Sequence, residues 1–331
     1  MRLLVTGAAG FIGANFIHYW VARHPGDHVV ALDALTYAGN LANLAPVADQ
    51  ITFVRADIGD VSMVESVLRE HRVDVVVNFA AESHNSLAVV DPSRFFATNV
   101  IGTQQLLEAC RRVGVARLHH VSTCEVYGDM ALDSDEAFTE SSPYRPRTPY
   151  NASKAGADHA VRAYAETYRL PVTITNCANN YGPYQFPEKV IPLFTTRALD
   201  GLPLPMYTSS ANRREWLHVS DHCAAIEAVL QRGRVGATYN VGSGVEASVA
   251  ELAARILDVL GLPSSLIDTV PDRPGHDRRY LLDSSLLRTE LGWAPMVSFA
   301  DGLDATIAWY ASSRDWWQPL LERAPVNEYA T

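Results

Sequence analysis

Short apolar runs alternate with amphipathic stretches through the first half of the chain. The runs Leu3–Val5, Val29–Leu32, Ile51–Val54, Val75–Phe79, Leu118–Val121 and Val172–Thr175 are rich in Val, Ile and Leu and alternate little with polar residues. That texture suits strands covered on both faces. Helical spacing fills the gaps between them. After Asp91-Pro92, which predicts a helix start, Val100, Thr103, Leu106, Leu107 and Cys110 fall on one face. Strand, helix and strand in repetition predict parallel neighbours joined by crossovers, hence an α/β fold with a doubly wound parallel sheet.

Past residue 176 the texture changes. Pro, Gly and Arg become frequent, and Tyr181-Gly182-Pro183-Tyr184-Gln185-Phe186-Pro187-Glu188 predicts a loop. Helical patterns return at Val249–Leu260 and Leu303–Tyr310. The expected organisation is one domain over 1–175 and a smaller C-terminal α/β lobe over 176–331, partly interleaved with the first.

Composition narrows the function classes. With 331 residues, 48% of them hydrophobic, the chain can bury a large core. A net charge of −10 and no long Lys/Arg run argue against nucleic acid as a partner. No stretch approaches the roughly 18 apolar residues of a membrane-spanning helix. Met1–Val5 leads into a strand without a charged leader, so a soluble cytoplasmic protein is expected, with no membrane partner. Cys110, Cys124, Cys177 and Cys223 are scattered without a CxxC, which gives neither a disulfide framework nor a metal site.

The first chemical signal is Gly7-Ala8-Ala9-Gly10-Phe11-Ile12-Gly13, directly after the first strand. A GxxGxxG loop allows a tight turn, close backbone approach to a pyrophosphate and close packing of the following helix. That helix aims its free N–H groups at the phosphates. Asp33 closes the next strand, about 20 residues past the loop, where an acidic side chain accepts hydrogen bonds from an adenosine ribose. Its charge repels a 2′-phosphate and Ala34 offers no counter-charge, so NAD is expected rather than NADP. Asp57, after the third strand, is placed for the adenine end. The first domain is therefore expected to be of Rossmann type.

The second signal is Tyr150 and Lys154, four apart in Tyr150-Asn151-Ala152-Ser153-Lys154 and so on one helix face. An ammonium beside a phenol lowers its pKa, and a phenolate next to a nicotinamide can take a hydroxyl proton. Upstream, Val121-Ser122-Thr123-Cys124-Glu125 ends a strand on its carboxyl side, where such sheets bind ligands. Thr123 is placed to bond a sugar hydroxyl or the phenol. Glu125 is placed to remove a proton from a carbon beside a ketone.

Taken together these pieces resemble the extended short-chain dehydrogenase/reductase family and, within it, the dTDP-glucose 4,6-dehydratases. The likeness rests on Leu32-Asp33 with Leu35-Thr36-Tyr37-Ala38-Gly39-Asn40, on Ala80-Ala81-Glu82-Ser83-His84 and on Asn179-Asn180-Tyr181-Gly182-Pro183-Tyr184. It also rests on Phe186-Pro187-Glu188-Lys189 with Ile191-Pro192, on Arg214-Glu215-Trp216 and on Asp272-Arg273-Pro274-Gly275-His276-Asp277-Arg278-Arg279-Tyr280. The resemblance implies oxidation of a nucleotide-bound hexose at C4, proton loss at C5 to Glu125, water loss from C6 and re-reduction at C6. It also implies Ile58, Ala80, Ala81 and Asn99 against the cofactor. Ser83, His84, Thr123, Asn180, Lys189, Arg214, Asn240, Arg273 and His276 are implied for the substrate. A homodimer joined through helices, including the Tyr150 helix, is implied as well.

The chain departs from the family twice. Cys124 stands where an Asp normally protonates the departing C6 hydroxyl. Two roles are open for it: a weak thiol acid, or a small packed residue with water as the proton source. The second departure is Asn85-Ser86-Leu87-Ala88 in place of a stretch containing a charged pair. The Thr-Cys-Glu triplet also resembles the nucleotide-sugar 5,6-dehydratase of tunicamycin-type biosynthesis, which leaves a 5,6-alkene. An inactive NAD-binding regulatory protein is the alternative from another class.

Overall fold

The computed structural model describes residues 1–272 and 274–324. In chain order the elements are β1 (Arg2–Thr6), α1 (Phe11–Arg23), β2 (His28–Asp33), β3 (Ile51–Arg55), α2 (Val61–Glu70) and β4 (Val75–Asn78). Then come α3 (Asn85–Val90), α4 (Pro92–Phe95), α5 (Thr103–Val113), β5 (Arg117–Thr123), α6 (Pro149–Tyr168), β6 (Val172–Cys177) and β7 (Asn179–Tyr181). The second half holds α7 (Val190–Leu199), β8 (Leu204–Tyr207), β9 (Arg213–His218), α8 (Val219–Arg232), β10 (Thr238–Val241) and β11 (Glu246–Ser248). It ends with α9 (Val249–Leu260), β12 (Ile267–Val270), α10 (Ser285–Leu291), α11 (Phe299–Ser312) and α12 (Arg314–Leu321).

Seven strands form one parallel sheet in the order β10-β6-β5-β4-β1-β2-β3. Successive side chains on a strand point to opposite faces, and the core divides accordingly. Leu3, Val5, Val29, Ala31, Val75 and Val77 pack under α1 and α8, whereas Leu4, Val30, Leu32 and Val76 pack under α2, α5 and α6. Burying one such Leu or Val is worth about 2 kcal/mol, which explains the apolar centres of β1, β2 and β4. The crossover direction reverses between β1 and β4, so their carboxyl ends open a crevice, the usual ligand position in sheets of this kind.

The helical face expected from Val100 to Cys110 is split by a wide π turn over Phe96–Gly102. Thr103, Leu106, Leu107 and Cys110 are buried as expected. Val100 is only half-buried and faces Gly156 of α6, where a Cβ would come within 3.0 Å of it. A π turn rotates the helical face on its N-terminal side relative to the face on its C-terminal side, and such turns often sit at functional sites.

Past β6 the chain builds a smaller layer. A three-stranded sheet β11-β9-β7 and the pair β12-β8 are packed by α7, α9 and α11 around Ile191, Phe194, Trp216, Leu252, Ile256, Leu303 and Ile307. The excursion through α8 and β10 belongs physically to the large sheet. Val219, Cys223, Ile226 and Leu230 of α8 join the layer beneath α1, and β10 pairs with β6. Among the described residues no helix is long and apolar enough to cross a membrane, and no group of three His, Cys, Asp or Glu could hold a metal ion.

Candidate active site

The glycine loop explains its own composition. Gly7 has φ +63°, and a Cβ there would stand 2.7 Å from the backbone of Phe79 and Ala80 at the end of β4. A Cβ on Gly13 would fall 2.2 Å from the Gly7 carbonyl oxygen. The loop therefore lies directly on the sheet and on the first turn of α1. Gly10 is the N-cap of α1 and no side chain caps that helix, so its first N–H groups have no intrahelical partner. Phe11, Ile12 and Gly13 line a cavity of about 260 Å³ in that direction. This is a cradle that an anion fits and a larger side chain would fill.

Asp33 is buried at the end of β2. Its carboxylate accepts the N–H of Ala9 at 2.9 Å and of Leu35 at 2.7 Å, and so ties the glycine loop to the loop after β2. Burial pushes its pKa up, while those two N–H groups pull it back. Asp33, Asp57, Ile58, Ala80 and Ala81 line an adjoining cavity of about 110 Å³. Asn99 lines neither cavity. Its amide bonds the Glu82 main chain in both directions and the Ser153 hydroxyl, which braces the strand end.

The same 260 Å³ cavity that meets the glycines is lined by Thr123, Glu125, Tyr150, Lys154 and Cys177. Thr148 caps α6 by accepting the Asn151 N–H, which starts the helix at Pro149 and sets Tyr150 in its first turn. The Lys154 Nζ donates to the Val121 carbonyl at 2.9 Å and lies 3.5 Å from His120 Nε2. Behind it, His120 meets the fully buried Asp158 at 3.4 Å. Asp158 also accepts from Ser122 and Tyr144. Burial and the Lys154 charge push His120 down to about 4, so its ring is neutral at pH 7.

Burial, then the Glu125 charge, pushes Tyr150 well above its usual range, and the Thr123 hydroxyl is the group that pulls it back. Removing a phenolate from water costs more than one hydrogen bond returns. Cys124 is 1% exposed, packs in an apolar cluster with Val126 and Tyr127, and lines none of these cavities. Burial pushes its thiol well above the ordinary value.

A third cavity, about 220 Å³, shares Ser83, Glu125, Asn180 and Lys189 with the 260 Å³ cavity and extends to His84, Arg214 and His276. Arg214 is held by the carbonyls of Arg213, Asp277 and Arg278. Asn240 is not part of this wall. It is fully buried, accepting from Tyr127 and donating to Phe138. Arg273 lies outside the described residues. Sequence reasoning missed Glu188, whose buried carboxylate accepts from Tyr37 while its Oε2 has no hydrogen-bond partner among the described residues. It also missed Asn85, part of the second departure. The Asn85 amide donates to Glu125 at 3.0 Å and accepts from the cap residue Thr148 at 3.1 Å, which links the carboxylate to the helix carrying Tyr150.

Comparison with known proteins agrees with this geometry. Residues 4–306 match the family described as GDP-mannose 4,6 dehydratase. The chain is similar to a dTDP-glucose 4,6-dehydratase of Streptomyces niveus, 49% identical and covering 97% of this chain and 96% of that one. It is similar to the crystal structure of a dTDP-glucose 4,6-dehydratase from Streptomyces venezuelae with NAD bound, at TM-score 0.94 and 52% identity over 97% and 100% of the two chains. A UDP-glucose 4-epimerase from Thermus thermophilus in complex with NAD superposes at TM-score 0.88 with 33% identity, over 95% of this chain and 100% of that one.

Proposed function

The chain belongs to the GDP-mannose 4,6 dehydratase family, and from that premise we propose that it is an NAD-dependent nucleotide-sugar dehydratase acting on dTDP-glucose. The product is a 4-keto-6-deoxyhexose, of use in deoxysugar or antibiotic-sugar biosynthesis. The observation that carries this reading is a single cavity lined both by Gly7, Gly10 and Gly13 and by Thr123, Glu125, Tyr150 and Lys154. No observation favours a 5,6-alkene product or an inert binding protein.

The donor set fits NAD. The first-turn N–H groups of α1 would hold the diphosphate, Asp33 the adenosine ribose, Asp57 and Ile58 the adenine end, and Lys154 the second ribose. The chemistry that NAD supplies when bound is a two-electron exchange, out of C4 and back into C6. Tyr150 would accept the C4 hydroxyl proton as a phenolate, a form that the Thr123 hydroxyl favours and that the positive charge of a bound nicotinamide would favour further. Glu125, steadied by Asn85, removes the C5 proton once C4 is a ketone. Lys189 and Arg214 hold the anionic part of the nucleotide sugar; guanidinium and ammonium suit phosphate oxygens. Because Cys124 is packed away from the cavity, a water would relay to the departing C6 hydroxyl the proton taken from the C4 hydroxyl, and Glu125 would give its proton back to C5 when C6 is reduced.

Exposed apolar residues on the helices beside α6, namely Val90, Phe96 and Ile101, support a homodimer through that face. The four unpaired, buried thiols suit a reducing cytoplasm. Incubation with dTDP-glucose carrying deuterium at C4 tests the chemistry. A C6 methyl signal with the label moved to C6 is expected. Exocyclic vinyl signals with the label kept at C4 would sink the 4,6 assignment.

A further inference from the structure

The C-terminal helices lie behind both walls of the cofactor cleft without lining it. The indole N–H of Trp316 in α12 donates to Asn43 Oδ1 at 2.8 Å. Asn43, 2% exposed, donates through its Nδ2 to the Ala9 carbonyl at 2.9 Å, and Ala9 is part of the glycine loop whose own N–H meets Asp33. Two hydrogen bonds in series thus connect α12 to the loop that meets the diphosphate. Just past α12, the Arg323 guanidinium donates to the carbonyls of Thr36 at 3.1 Å and Gly39 at 2.9 Å. Both residues line the adenosine end of the cleft.

The opposite wall is gripped from the same side. Tyr184 has φ +68°, an unusual conformation for a bulky side chain. Its ring packs edge-on against Trp309 and Trp316, with centroids 5.0 and 5.7 Å away. The Tyr310 hydroxyl donates to the carbonyl of the next residue, Gln185, which lines the 260 Å³ cavity. One short helical segment therefore ties the loop after β2 to the loop after β7, and each loop forms one side of the cleft.

We propose that Trp316 and Arg323 are positioning residues for the cofactor: they hold the Asp33–Asn43 loop shut over the adenosine half and so set how long NAD stays bound. The inference rests on the NAD reading above. A cofactor restored to its starting state in each turnover has no need to leave, so an external brace on its loop suits the chemistry. The brace acts through the main chain and contributes no group to the reaction.

Purified protein is tested for NAD content and for the rate at which NAD leaves after desalting, with melting temperature recorded alongside. Trp316→Ala, which loses the N–H bond and the ring packing, is expected to release NAD about tenfold faster; Trp316→Phe, which keeps an aromatic ring but loses the N–H bond, and Arg323→Ala, which loses both carbonyl contacts, about threefold. Wild-type release rates in both Trp316→Phe and Arg323→Ala would overturn the brace, even if Trp316→Ala melts earlier or fails to fold. A wild-type protein that takes up no NAD would instead overturn the cofactor reading, and the brace with it.

Discussion

Around Gly7–Gly13 the wall of the cleft is main chain. Glycines let the loop lie on β4 and α1, and the polar groups on offer are the free N–H groups of the first turn of α1, on a loop that Asp33 ties down. Around Arg214 and Lys189 the wall is side chains drawn from β9, from the loop before α7 and from the segment after β4, each fastened by its own partners. A backbone cradle is rigid and recognises what every dinucleotide shares. A side-chain wall can be retuned by substitution, and it has to let a sugar nucleotide enter and leave. The contrast divides a permanent guest from a passing one.

Several substitutions sharpen or break that contrast. The largest effect is expected where the two walls meet: Tyr150→Phe should lower kcat about a thousandfold while NAD content stays at the wild-type level. On the backbone side, Gly13→Ala forces a Cβ to within 2.2 Å of a carbonyl oxygen. It should cost about 2–3 kcal/mol of stability and empty the protein of NAD, seen by chemical denaturation and by cofactor assay. On the side-chain side, Lys189→Met should raise KM for the nucleotide sugar about tenfold and leave NAD content alone. Equal loss of NAD in both variants would show that the two walls are not separate.

A smaller effect tests what stiffens the side-chain wall. His222 is fully buried, its Nδ1 lies 2.9 Å from Asn180 Oδ1, and burial pushes its pKa down to about 3. The unfolded chain takes up a proton near pH 6.5 that the folded chain refuses. The wild type therefore loses stability relative to His222→Gln as pH falls below about 6.5, by at most about 1.4 kcal/mol per pH unit. Urea midpoints at pH 7.5 and 5.5 measure it. Smallest of all, Cys124→Ser should change kcat by less than about threefold and leave the product the same. A switch of product would return Cys124 to the chemistry.

The backbone wall was legible from sequence and the side-chain wall only partly so, for a physical reason. Glycine spacing and a strand-ending Asp are local signals, and so is the interval from Tyr150 to Lys154. The hydrogen bonds that Asn240 and Asn99 make, with Tyr127 and Glu82, come from other segments and leave no trace in local spacing. The pairing of Lys154 with His120 and Asp158 has no spacing signature, because it forms only when β5 lies beneath α6. The loss of a charged pair after His84 was visible, yet only the fold shows that Asn85 meets Glu125.

The return of α8 and β10 to the large sheet has a consequence for how such genes can recombine. A fragment cut near Thr175 would leave β6 an open edge and strip the cover from Val5 and Ile17. Unpaired edges and bare apolar faces invite aggregation. Lobes therefore cannot be exchanged at a single breakpoint. Any inherited swap of specificity has to carry two shorter inserts, one on each side of residues 219–241, and leave that stretch with its ancestral sheet.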